Sequence, residues 1–176
     1  GLLGPEGAGK TTTLRQLMGF AAPGRGRCSI NGRNCHAKAS EIMKFTGYLP
    51  EEAMLPQDMT GLTFLRFMAE LKGARSIERA QQIAERFELD LDEPIAKMSR
   101  SSRRELGIVC AFMHDPAVLL LDEPTNGLDV LMQGRLNELL LEEKGRGKTI
   151  LFTSHIFEEV ERTCDRVGMM KCGVLV

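Results

Sequence analysis

The run LLGPEGAGKTT, Leu2 to Thr12, sets the architecture of the chain. Leu2-Leu3 reads as the end of a buried strand and Gly4 to Gly9 as a glycine-rich turn. Lys10 to Met18 reads as a helix with Leu14, Leu17 and Met18 on one side. Gly4 to Thr11 matches the pattern G-x-x-x-x-G-K-[ST], in the strand–turn–helix context that a phosphate-binding loop needs. The glycines let the backbone bend so that several N–H groups converge on phosphate oxygens, and the helix adds its positive end. The expected phosphate-contacting residues are Gly4, Pro5, Glu6, Gly7, Ala8, Gly9, Lys10, Thr11 and Thr12. Lys10 supplies a mobile cation for the β- and γ-phosphates, and the Thr11 hydroxyl a hard oxygen ligand for Mg²⁺.

Further along, Val118-Leu119-Leu120-Leu121 is continuous and apolar, as a parallel strand buried on both faces should be. Ile150-Leu151-Phe152 and Val167 to Met170 read as further strands. Helical periodicity fills 130–143 and 156–164 between them, so the alternation predicts an α/β core with a parallel sheet. Asn31-Gly32 within RCSINGRNC (residues 27–35) predicts a hairpin. Between Pro50 and the strand at 118, apolar spacing predicts three successive helices near 62–72, 77–87 and 102–113. The expected organisation is a discontinuous core, residues 1–50 and 115–176, with an all-helical subdomain at 51–114. Just past the strand at 118–121 stand Asp122 and Glu123. Ligands of open α/β sheets bind at the carboxyl ends of the strands. Asp122 is therefore expected in the metal shell, and Glu123 as a general base for a water attacking the γ-phosphate.

Composition narrows the partners. Across 176 residues the net charge is −1, with 43% apolar and 27% charged side chains. Without an excess of Lys and Arg, no nucleic acid is expected as a ligand. The local cluster Arg100, Arg103, Arg104 is equally compatible with a solvated helix face. No apolar run approaches the roughly 20 residues that cross a bilayer. Five cysteines without a CxxC pair fit reduced thiols better than a disulfide framework or a zinc site. The chain opens at Gly1, close before the loop, and closes in strand-like Gly173-Val174-Leu175-Val176, so it is expected to be part of a longer protein.

Three blocks together, GPEGAGKTT, LLLDEPTNGLD (Leu119 to Asp129) and TSHIFEEVERTCDR, resemble the nucleotide-binding domain of ATP-binding cassette transporters along essentially the whole chain. The resemblance implies a P-loop NTPase fold of RecA-like type. It implies ATP and Mg²⁺ as ligands, and ATP hydrolysis that powers a separate membrane permease from the cytoplasmic face of the membrane. His155 matches the family's switch histidine at the γ-phosphate, and Asp129 the loop that senses a second nucleotide-binding domain in a head-to-tail dimer. Glu51 of GYLPEE stands where the family has a Gln that touches Mg²⁺; a carboxylate can still ligate the metal but cannot donate as an amide does. Gln57 lies close by, but Glu51 fits the spacing to Thr60 better. In the family an aromatic residue upstream of the loop stacks on adenine, and that position is not in this sequence.

The signature differs more. Met98-Ser99-Arg100-Ser101-Ser102 aligns with the family's Leu-Ser-Gly-Gly-Gln. Ser99 and Ser101 are the expected contacts to the partner's γ-phosphate, but side chains in place of both glycines hinder close backbone approach. Two alternatives to a transport ATPase follow from the sequence: a catalytically weak regulatory partner in a heterodimer, and a cassette ATPase that serves no permease.

Overall fold

The computed structural model describes residues 1–74 and 76–176. The chain begins with β1 (Leu2–Leu3) and α1 (Lys10–Leu17), then the hairpin β2 (Ser29–Ile30) and β3 (Arg33–Asn34), α2 (Ala39–Met43) and β4 (Thr46–Leu49). Three helices follow, with no strand between them among the described residues: α3 (Gly61–Lys72), α4 (Glu78–Arg86) and α5 (Arg100–Phe112). Alternation then returns with β5 (Val118–Leu121), α6 (Val130–Gly145), β6 (Thr149–Ser154), α7 (Phe157–Thr163), β7 (Gly168–Lys171) and β8 (Val174–Leu175).

The main sheet runs β4-β5-β6-β1-β7-β8, parallel throughout except for the antiparallel β7–β8 pair at one edge. All four residues of β5 are buried, because helices cover both faces of the sheet there. Alternation along the strand divides them. Leu119 and Leu121 join Leu49, Leu106, Phe112 and Leu136 on one face, while Val118 and Leu120 meet Leu14 and Met18 on the α1 face.

Strand ends coincide. Leu3 is in register with Ser154, and Gly4 N donates to Ser154 O at 3.2 Å. Leu49 is in register with Leu121, and Asp122 N donates to Leu49 O at 2.8 Å. The loops leaving β1, β4, β5 and β6 therefore open along one edge, where an open α/β sheet binds its ligands.

The structure moves several expected boundaries. Helix α5 begins at Arg100 rather than near Ser102, because Ser99 caps it by accepting from Ser102 N. The apolar pattern starts only at Leu106, so periodicity misses this polar first turn. Helix α6 runs two residues beyond its expected end. The short α2 carries too few residues for a period to show, while β8 falls within the strand-like stretch 173–176.

Candidate functional site

Helix α1 owes its start to Gly9, whose φ of 102° suits a residue without a Cβ. Gly4 is constrained differently: a Cβ there would fall 2.4 Å from Met170 O of the neighbouring β7. Thr13 N closes the first helical bond to Gly9 O at 3.0 Å. The earlier N–H groups of the turn have no intrahelical partner and carry the helix's positive end. Pro5 to Thr12, with Glu51 and Glu123, line a cavity of about 370 Å³ over this turn.

Lys10 is buried beneath the turn. Its ammonium donates to Gly4 O at 2.6 Å and Pro5 O at 3.2 Å, and pairs with Glu123 Oε1 at 3.1 Å. The other oxygen, Glu123 Oε2, lies 2.9 Å from His155 Nδ1. An ionised carboxylate only accepts, so the proton of this bond sits on Nδ1. Glu123 thus stands between a lysine and a half-exposed histidine at the rim of the cavity.

Behind it, Thr153 of β6 organises both acids. Its hydroxyl donates to Asp122 Oδ1 at 2.6 Å and accepts from Glu123 N at 2.9 Å. No motif gives Thr153 a role; its place beside Asp122, just past the end of β5, is a product of strand register. Asp122 is 0% exposed, and its Oδ2 has no hydrogen-bond partner among the described residues. An orphaned buried carboxylate oxygen is costly unless something pairs with it. Thr11 and Glu51 line the cavity, and Asp122 directly precedes Glu123, which lines it too, so the donors are hard oxygens. They fit a magnesium ion held by one or two protein carboxylates together with substrate phosphates.

The remaining expected residues lie elsewhere. Ser99, Ser101 and Asp129 line no part of this cavity. Ser99 caps α5 and shares a 2.9 Å contact with the Ser102 hydroxyl, while the Ser101 hydroxyl donates to Glu105 Oε1 at 2.8 Å. Asp129 caps α6, its Oδ1 accepting from Met132 N at 2.9 Å.

The basic cluster divides. Arg100 is exposed, but Arg104 is only 6% exposed, which corrects the reading of a solvated face for that residue. The missed signal was helical phase: Arg104 precedes Ile108, Ala111 and Phe112 on one buried stripe of α5. Arg104 reaches backbone carbonyls of the loops after β4 and β5.

A sequence model of the ABC transporter family matches residues 1–126. An uncharacterised ABC transporter ATP-binding protein of Nostoc sp. is 38% identical over 183 residues, covering 100% of this chain and 54% of its own length. The Nod factor export ATP-binding protein I of Burkholderia orbicola is 39% identical over 182 residues, covering 98% and 59%. The chain therefore spans a little over half the length of these curated relatives. A solved ATP-binding subunit of an ABC transporter superposes with a TM-score of 0.89 at 32% identity, over 98% of this chain and 74% of that one. A dimeric post-hydrolysis ATP-binding cassette bound to ADP and Pi shares the fold, with a TM-score of 0.84 at 23% identity. With the loop, the acidic pair and the parallel sheet in one arrangement, and the family model matching most of its length, this chain belongs to the ATP-binding cassette (ABC) transporter family.

Proposed function

We propose that this chain binds Mg-ATP over the Gly4–Thr12 turn and hydrolyses it, as the ATPase subunit that powers transport through a separate membrane permease. The observation that carries the reading is the Glu123 carboxylate, held between Lys10 and His155 at the rim of the cavity. Backbone N–H groups of the turn and the Lys10 ammonium bind the β- and γ-phosphates. A phosphate oxygen competes with Glu123 for Lys10, so substrate binding releases the carboxylate to accept a proton from the attacking water. His155, bonded through Nδ1 to that carboxylate, keeps Nε2 for the γ-phosphate or the water. Thr11, Asp122 and Glu51 are the residues that would hold Mg²⁺, which when bound offsets the charge of the phosphates.

In this reading residues 1–50 and 115–176 act as the P-loop core and 51–114 as a helical subdomain. A second nucleotide-binding domain faces the first head to tail, with Ser99, Ser101 and Asp129 reaching toward the opposite site. The dimeric fold neighbour supports that assembly, and the transporter names of the relatives support a permease partner. Among the described residues no helix is long and apolar enough to cross a membrane, which suits a peripheral place on its cytoplasmic face.

The test is phosphate release by the full-length protein. Glu123→Gln should lower kcat by about 10²- to 10³-fold, in the range of lost acid–base catalysis, with Mg-ATP still bound. Lys10→Ala should abolish Mg-dependent nucleotide affinity. Equal rates in wild type and Glu123→Gln would favour a second reading, a weakly catalytic regulatory partner. That alternative draws on the run Arg100-Ser101-Ser102, in which side chains replace both glycines of the family's signature.

A further inference from the structure

Arg104 enters the site from α5, five residues after the Ser99 cap. Its guanidinium makes five hydrogen bonds, and every acceptor is a main-chain carbonyl. Nη1 donates to Pro50 O at 2.6 Å and Glu51 O at 2.9 Å. Nη2 donates to Asp122 O at 2.7 Å and Glu123 O at 2.6 Å, and Nε to Pro124 O at 3.3 Å. A guanidinium has five N–H donors, so the fork is fully engaged. Burial draws its pKa down to about 10, with the charges of Asp122, Glu51 and Glu123 acting the other way, so it remains a cation at neutral pH.

The acceptors belong to two loops that leave adjacent parallel strands. One carries Glu51, the other the acidic pair. Glu123 has φ 46°, a left-handed conformation that a residue with a Cβ adopts only under constraint from its surroundings. Arg104 holds the carbonyl of the peptide before Glu123 and the carbonyl of the peptide after it. Both planes that define the Glu123 backbone are thereby fixed, and with them the direction in which its side chain leaves the loop. No other described side chain donates hydrogen bonds to both loops.

We propose that Arg104 is a positioning residue for hydrolysis. It holds the left-handed turn at Glu123 and the loop at Glu51 in one geometry, and makes the aim of the water-activating carboxylate depend on the place of α5. A shift of the helix that begins at Ser99 then reaches the cis catalytic base through a single side chain. Lysine cannot replace it: an ammonium has the charge but only three donors from one nitrogen, and cannot span both loops.

The inference rests on Glu123 acting as the base, and the experiment separates the two. Full-length protein is prepared as wild type, Arg104→Lys, Arg104→Gln, Glu123→Gln and the Arg104→Lys/Glu123→Gln double variant. Folding is followed by circular dichroism, and nucleotide sites are counted by ADP titration. The expected result is a kcat per titrated site lower by about tenfold or more in Arg104→Lys, with KM for Mg-ATP within about threefold, because the lost alignment acts on the transition state. In the Glu123→Gln background Arg104→Lys should leave the residual rate unchanged, since the group it positions is gone. A kcat per site within about twofold of wild type, or the same fractional loss in both backgrounds, overturns the proposal. Failure of both single Arg104 variants to fold also counts against it, by assigning the residue to the fold alone. A wild type without Mg-ATPase activity overturns the hydrolytic reading itself.

Discussion

Glu123 and His114 show how one side chain's surroundings set its chemistry. Glu123 lies at the rim between Lys10 and His155 in a left-handed backbone conformation, so its aim is set by neighbours on three elements. His114 is at the opposite end of the sheet, with Nε2 3.3 Å from Thr46 O and Nδ1 buried without a partner among the described residues. Burial and the nearby Lys72 charge pull its pKa from the usual 6.5 down to about 4. In the unfolded chain it protonates near 6.5. The neutral native form therefore contributes its full stability above that pH and loses it as pH falls toward 4. Between pH 7 and pH 4.5 the wild type should lose about 2 kcal/mol more stability than His114→Gln, allowing for partial exposure. Urea unfolding at the two pH values measures this, and equal losses would show that His114 is not linked to folding. Lys10 and Glu123 were legible at this scale because a short motif fixes their types and spacing. Arg104 and Thr153 were not, because their partners lie 18 to 54 and 30 to 31 residues away.

The helices that carry the expected site residues each begin in a cap or a constrained turn. Gly9 starts α1, Ser99 starts α5 and Asp129 starts α6. The Asp129 cap gives that residue a structural duty besides the sensing role proposed for it, and substitution separates the two. Asp129→Ala should cost about 1 kcal/mol of stability through loss of the cap, whereas Asp129→Asn should cost little. If Asp129 also reads the opposite protomer, Asp129→Asn lowers turnover at unchanged melting temperature. Unchanged turnover would leave it a cap only. Strand β5 was legible because burial on both faces removes polar residues from the run. Strand β4, Thr46–Leu49, was not legible, since TGYL has no alternation and too little apolar length.

Across the whole molecule, α4 is tied to α6, as α5 is to the two loops gripped by Arg104. Arg79 pairs with the buried Glu143 at 2.7 Å, Arg86 with Glu142 at 2.7 Å and Glu138 at 3.1 Å, and Arg135 with Glu88. The exposed pairs each add little, but those of Arg86 join the same two helices. Ser99, Ser101 and Asp129 line no part of the cavity over the Gly4–Thr12 turn, and the proposed head-to-tail assembly would bring those of a second copy to it. Full-length Glu123→Gln should therefore shift from monomer to dimer in size-exclusion chromatography when Mg-ATP is added. An unchanged elution volume would contradict the head-to-tail assembly. Arg100 and Ser101 in place of glycines predict a weaker shift than a variant carrying glycine at both positions.

The amino-acid sequence by itself determined the phosphate loop, the acidic pair, the parallel α/β class and the three-helix interval. Each is written in neighbouring residues, as a motif of fixed spacing or a period of burial. Tertiary structure alone decided that Arg104 turns inward to five carbonyls, that Thr153 joins Asp122 to Glu123, and that Glu123 meets both Lys10 and His155. Those contacts link residues far apart in the chain, and they form only where parallel strands fix register and bring four loops to one edge of the sheet.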